Sequence, residues 1–454
     1  MMRLPATHLG QVIRARGVRI GSRVVVAEPA WQLAALRIVV PSMILVTAEL
    51  RHAPRLAATP AALRVAPEGL GWFVSHVPIS PALATVAQAV CVFSALAAIV
   101  GLRTRVALTV MTVSAFYLFA LSQLAGAVWH DMHLLWMGAL LAASPCDEAV
   151  SFDRRGPSPP DAIRYGLPLT FARLLLSGVY FFPGLQKIRT SGLAWALSDN
   201  LQHQLWWKWA EHGIVDGWRV DRVPGLLQVG GLFVLAFELS FPVLALVRRT
   251  RPWVALAGLV FHALSWILFR IPFVSLWALY VVMVDPRTLA RFVRSWVPSE
   301  TSPSTAPPLA ATWLVGALLT FGVFVQGGRG QMRSYPFACY PTFEWMVGTE
   351  MPDLLVEAET ADGTRTVLPH ARSAGGYRTQ RQWGEIWSLA AITSPPDEAR
   401  LRAYVAQVVA REPARSLARG AVRIRCFRAF LSVVPEDRPL PPRRADLLAD
   451  LAWP

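Results

Sequence analysis

The sequence predicts a mainly α-helical polytopic membrane bundle of about nine spans, with a small extracytoplasmic α+β or β-sandwich domain at its C-terminal end. Three observations predict it. Hydrophobic residues make up 54% of the 454 residues and charged residues only 16%, which is too apolar for a soluble chain of this length. Apolar runs close to the length of a bilayer crossing recur as far as Gln326. From about Gly327 to Pro454 the composition becomes that of a soluble domain.

Residues 1–30 carry Arg3, Arg14, Arg16, Arg19 and Arg23 with no apolar core or small-residue cleavage site at the right distance. A cleaved signal peptide is not expected. A basic amphipathic segment on the cytoplasmic leaflet is. The spans then read as Trp31–Leu50, Pro81–Val100, Val106–Ala127, Met132–Ser144, Ile163–Phe182, Leu226–Val247, Trp253–Ile271, Phe273–Val284 and Ala311–Gln326, the fourth and eighth being short. Basic loops around Arg103/Arg105, Arg154/Arg155/Arg164, Arg248/Arg249/Arg251 and Arg287/Arg291/Arg294 alternate with poorer or longer ones. The positive-inside rule places the N-terminus in the cytoplasm and the tail outside, in a cell membrane. The formal charge of +15 is therefore read as topology, and nucleic-acid binding is excluded.

Two stretches lie outside the spans of the 31–326 transmembrane region. The outer loop 183–225 holds Trp195, Trp206, Trp207, Trp209 and Trp218, a density expected at headgroup level, with an interfacial helix. After the linker-like Val297–Pro308 and the last span comes the tail, 327–454. In the tail, "DLLVEAETADGTRTVLP" reads as a hairpin turning at Asp362-Gly363, "PPDEARLRAYVAQVVARE" as a helix and "AVRIRCF" as a strand. Four dispersed cysteines, without a C-x-x-C, give neither a zinc site nor a redox pair; only a Cys339–Cys426 pairing in the tail stays open. No internal repeat supports a duplicated transporter fold.

Ionisable residues at membrane depth are functional candidates by default. Glu238 falls mid-way along the sixth span and His262 mid-way along the seventh; His130, Asp131 and His133 stand at the outer start of the fourth. Each also has an ordinary reading. Glu238 can bond a neighbouring helix, His262 can be a paired core histidine, and two histidines without a third ligand do not make a metal site. Arg37 and Arg173 read as packing or pocket residues, and Lys208 as a snorkelling lysine. Lys187 stands apart. It is one of two lysines in a chain with 44 basic residues, and an enclosed lysine, unlike arginine, can lose its proton and act as a base.

"GLQKIRTSGLAW", then "FELSFPVLAL", then "HALSWILFRI" resemble, in this order, the vitamin K-dependent gamma-carboxylase and its bacterial relatives with the horizontally transferred transmembrane (HTTM) domain. Gly184, Leu185, Lys187 and Ile188 match the first element, Glu238 and Pro242 the second, and His262, Leu268, Phe269 and Ile271 the third. "LAALRIVV" and "WHDMHLLWMGALLAASP" resemble the family's first and fourth spans, and "SYPFACYPTF" extends the likeness into the tail. Gln186, Arg189, Thr190, Ser191 and Ser265 depart from the family pattern.

The resemblance implies a lyase or monooxygenase type of reaction. Lys187 would deprotonate a reduced quinone of vitamin K or menaquinol type, with O2 and CO2 as co-substrates and no metal. His133 and His262 would assist, and Glu238, Ser265 and Trp195 would contact the quinol. The implied partners are membrane lipid and a protein or peptide acceptor at the outer face. The alternative is a non-catalytic membrane protein whose cavity holds lipid, quinone or a protein partner.

Overall fold

The computed structural model describes residues 25–454 except 125–130, 155–158, 216, 285–306, 308, 332–333, 340–342, 370–385, 387, 391–396 and 438–443. Most of the basic N-terminal segment, His130 and nearly all of the linker-like loop lie outside the described residues.

Helices α1 (Ala30–Val46) and α2 (Ala48–Ala57) meet at a bend of 41°. Thr47 makes the joint: its hydroxyl accepts from Leu50 N and caps α2. After the short α3 (Gly71–His76) come α4 (Pro81–Val100) and α5 (Thr104–Gln123). Ser80 caps the start of α4 with proline at its first position, and Gly101 ends it at φ +75°. Then follow α6 (Met132–Ala142), α7 (Ile163–Ser191), α8 (Ala194–Leu197), α9 (Asn200–His212), α10 (Leu226–Leu246), α11 (Arg251–Phe269), α12 (Val274–Leu279) and α13 (Ala310–Gly328).

Among the described residues six helices are long and apolar enough to cross a bilayer, or seven if α1 and α2 count as one bent span. The chain is a multi-pass membrane protein. The two segments expected to be short, the fourth and the eighth, are α6 and α12, which have 11 and 6 residues and fall short of the roughly 20 that a crossing needs. Backbone beyond such a short helix must find partners inside the protein. Past α12, Gln32 Nε2 lies 3.4, 3.3 and 3.2 Å from the carbonyl oxygens of Val281, Val282 and Val284. Arg173 Nε donates to Val282 O at 2.8 Å. Arg173 in turn shares Glu28 with Arg251, at 3.1 and 2.8 Å, and all three are buried. Removing one member of a buried ionic group typically costs about 3–5 kcal/mol, so this cluster fixes the half-helix in place.

The connections sort to two ends. Arg103 N and Thr104 N donate to Asp153, Glu28 pairs with Ala162 through the backbone, and Arg251 reaches Glu28. These contacts gather the loops bearing Arg103, Arg105, Arg164, Arg248 and Arg249 at one end. At the other, Val65 N donates to Leu124 O and Tyr335 N to Glu68 O.

The tail lies at this second end. Strands β1 (Glu350–Thr360), β2 (Arg365–Val367), β3 (Ala421–Ser432) and β4 (Arg444–Ala452) form one antiparallel sheet in the order β2-β1-β3-β4. Helices α14 (Glu398–Val409) and α15 (Ala414–Leu417) share its core among the described residues, so the tail is α+β rather than a sandwich. The β1–β2 turn falls where Asp362-Gly363 predicts it: Gly363 takes φ +82° and Asp362 accepts from Thr364 N. Asp397 caps α14 by accepting from Arg400 N. Leu63, from the loop after α2, enters the core of this domain beside Val356, Ile424 and Leu401.

Cys339 and Cys426 are both free thiols; Cys339 lies near the Val323 carbonyl of α13 and Cys426 in the sheet core. Arg222 and Arg219 bind Glu436 at 2.8 and 2.7 Å, tying the loop before α10 to the tail. Their hydrogen bonds hold the Glu436 carboxyl down at about 2. This link is therefore fully formed above the ordinary carboxyl range and is lost only as pH falls through about 2.

Candidate active site in the bundle

α7 runs unbroken past Pro168 and Pro183 to Ser191. The outer loop expected from Pro183 thus begins at Gly192, and Lys187 belongs to a buried helix rather than to a loop. Tyr180 and Lys187, seven residues apart, fall on one face of α7 about 10 Å apart along its axis.

Gly184 decides what reaches Lys187. A Cβ there would stand 2.8 Å from Glu238 Cβ, so glycine permits the close approach of α10 that brings Glu238 in. Lys187 Nζ lies 2.9 Å from both carboxylate oxygens of Glu238, with the two side chains 3% and 7% exposed. The ammonium also faces the Trp195 ring at 5.1 Å.

The pair stands on the wall of a cavity of about 370 Å³ between α7, α10 and α11. Its other polar wall groups include Tyr180, His262 and Ser265; most of the rest is apolar, from Phe233 and Phe261 to Leu268 and Phe343. Tyr180 Oη is 2.6 Å from His262 Nε2 and 2.7 Å from Tyr280 Oη. Leu226, Phe233, Leu264 and Ile267 both line the cavity and are exposed on the outside of the bundle. The cavity therefore abuts the surface that lipid covers, between α10 and α11.

Residues 70–286 match the family model of the HTTM domain. The chain carries an HTTM domain. The matched segment contains Lys187, Glu238, His262 and Ser265, the residues that the cavity brings together. No curated protein and no solved structure matches the chain.

Within the HTTM domain, four of the expected site residues, Lys187, Glu238, Ser265 and His262, line one cavity, and Trp195 lines it too. His133 does not. It is buried on α6, which packs against α1, α5, α7 and α13, whereas the cavity opens between α7, α10 and α11. The assignment of His133 to the same pocket is corrected on that ground. The tryptophan-rich loop is corrected as well: Trp195 and Trp209 are buried, while Trp218, at 77% exposure, lies in the open. The interfacial helix expected there is α9, on which Lys208 pairs with Glu211 at 2.7 Å.

The sequence reading missed Tyr180, Tyr280 and Phe343. For Tyr180 a signal existed, since it stands two helical turns before Lys187 on the same face. Phe343 comes from beyond the HTTM domain, on a strap running to Gly348. Trp195 Nε1 donates to Phe343 O at 2.7 Å, Thr190 to Glu344 O at 2.8 Å, Gln204 to Trp345 O at 2.9 Å and Trp207 to Gly348 O at 2.8 Å. Val347 N donates to Asn200 Oδ1 at 3.0 Å. The strap thereby seats the Phe343 ring against the cavity.

Proposed function

We propose that this cavity takes a lipid-soluble quinol from the bilayer and that Lys187, with Glu238, removes its hydroxyl proton. The observation that carries this reading is the enclosed Lys187–Glu238 pair on the wall of an apolar cavity bordering the lipid surface. A proton shared across two 2.9 Å contacts can reside on either partner. With it on Glu238, Lys187 presents a neutral amine, which accepts the proton when the quinol O–H bond breaks. Aromatic walls at Trp195, Phe233, Phe261 and Phe343 suit a flat ring, and the exposed rim between α10 and α11 suits its aliphatic tail.

The resemblance to the gamma-carboxylase supplies the rest. O2 oxidises the deprotonated quinol to its epoxide, one oxygen atom leaves as water, and CO2 adds to a carbon of the acceptor from which a proton has been taken. The acceptor is a protein or peptide reaching the site from the tail's end. Arginine-rich loops at the opposite end support a cytoplasmic N-terminus and a tail outside the cytoplasm.

One observation favours a second reading. Both carboxylate oxygens of Glu238 already engage Lys187, and with the proton held on the amine the pair is a closed structural bridge. The cavity would then bind lipid, quinone or a partner without chemistry. Mass spectrometry of quinols incubated in air with membranes carrying the wild type or Lys187→Ala separates the two. Epoxide from the wild type alone is expected; no epoxide from either, with menaquinol and vitamin K hydroquinone both offered, would leave the binding reading.

A further inference from the structure

The order of hydrogens along the Tyr280–Tyr180–His262 chain follows from the partners available. Tyr280 is buried, and the Tyr180 hydroxyl is its hydrogen-bond partner among the described residues. Its O–H must donate there, since a buried donor left unmade is the costlier choice. Tyr180 then gives its own hydrogen to His262 Nε2. A neutral imidazole that accepts at Nε2 carries its hydrogen on Nδ1. His262 Nδ1 is buried and has no partner among the described residues, while His262 itself lines the cavity.

We propose that His262 Nδ1–H donates a hydrogen bond to an oxygen of the molecule in the cavity, beside Tyr180, which stands two helical turns before the proton acceptor Lys187 on α7. This assignment rests on the quinol reading of the same site and narrows it. A ring held this way offers an acidic hydroxyl at one end and an oxygen acceptor at the other, which selects para-dioxygenated rings over rings with a single oxygen. Tyr180 and Tyr280 are positioning residues: they fix the tautomer of His262. Gly258 supports them, because a Cβ there would lie 1.9 Å from the Tyr280 hydroxyl.

The test is equilibrium binding, under nitrogen, of menadiol and of 2-methyl-1-naphthol, which lacks the second oxygen, to the full chain in detergent. The wild type is expected to prefer menadiol roughly five- to tenfold, the effect of one hydrogen bond, and His262→Phe to lose the preference while keeping its affinity for the naphthol. Nitrogen NMR of labelled histidine, with His262 assigned by its loss in His262→Gln, is expected to show Nε2 as the bare nitrogen in the wild type and a shift of the hydrogen toward Nε2 in Tyr280→Phe. A menadiol preference that survives His262→Phe, or a wild-type hydrogen on Nε2, overturns the assignment and leaves the quinol reading standing. A wild type that binds neither ring overturns both.

Discussion

Replacing Lys187 with arginine is expected to abolish quinol oxidation while leaving the protein folded. Arginine keeps the positive charge and can bind both oxygens of Glu238 as a fork, so the ion pair survives. It cannot serve as the proton acceptor, because its guanidinium does not give up its own proton. Loss of a general base lowers rates by about 10²–10⁴-fold, and a decrease of this size is expected in epoxide formed at saturating quinol. Thermal unfolding of the variant in detergent should stay within a few degrees of the wild type, by the order of size expected when a buried pair is kept. Turnover at the wild-type rate would reduce Lys187 to a structural residue.

The largest stability effect is expected at its partner. Glu238→Leu leaves a lysine buried among Trp195, Phe343 and Phe233 with no carboxylate, and breaking such a pair costs about 3–5 kcal/mol. Lys187→Met combined with Glu238→Leu removes both charges and fills the space with apolar atoms, which often restores the loss. The double variant is thus expected to unfold near the wild-type temperature and yet form no epoxide. A Glu238→Leu protein as stable as the wild type would mean that the two residues are not paired in the membrane.

The two ends of this pair were legible in the sequence for different reasons. Lys187 stood out because the chain otherwise uses arginine, and Glu238 because a carboxylate mid-way along an apolar run needs a reason. Their contact was not legible, since it joins positions 51 residues apart and depends on Gly184 letting α10 come close. Chain order also cannot say on which side of α7 a neighbour packs. His133 and His262 both sit at membrane depth, but α6 and α11 do not share the cavity.

Element boundaries failed where a local rule yielded to the environment. Pro183 suggested the end of a helix, yet in a bundle neighbouring groups can meet the freed carbonyl, and α7 continues to Ser191. The tryptophans after it suggested a headgroup belt, but the strap from Phe343 to Gly348 gives Trp195 and Trp207 carbonyl partners that no local pattern announces. In the tail, by contrast, the turn at Asp362-Gly363 is a short-range device that falls where the residues predict, and the helix read from the segment after it forms, with Asp397 as its cap.

The central claim is that a quinol occupies the cavity between α7, α10 and α11. Photolabelling tests it most directly: membranes containing the chain are illuminated with a quinone bearing a diazirine on its ring, and the modified residues are read by peptide mass spectrometry. The account predicts labels confined to the cavity wall around Tyr180–Lys187 and Phe261–Leu268, competed away by unlabelled quinone. Labels spread over the lipid-facing surfaces of α4 and α13, unaffected by competitor, would contradict it.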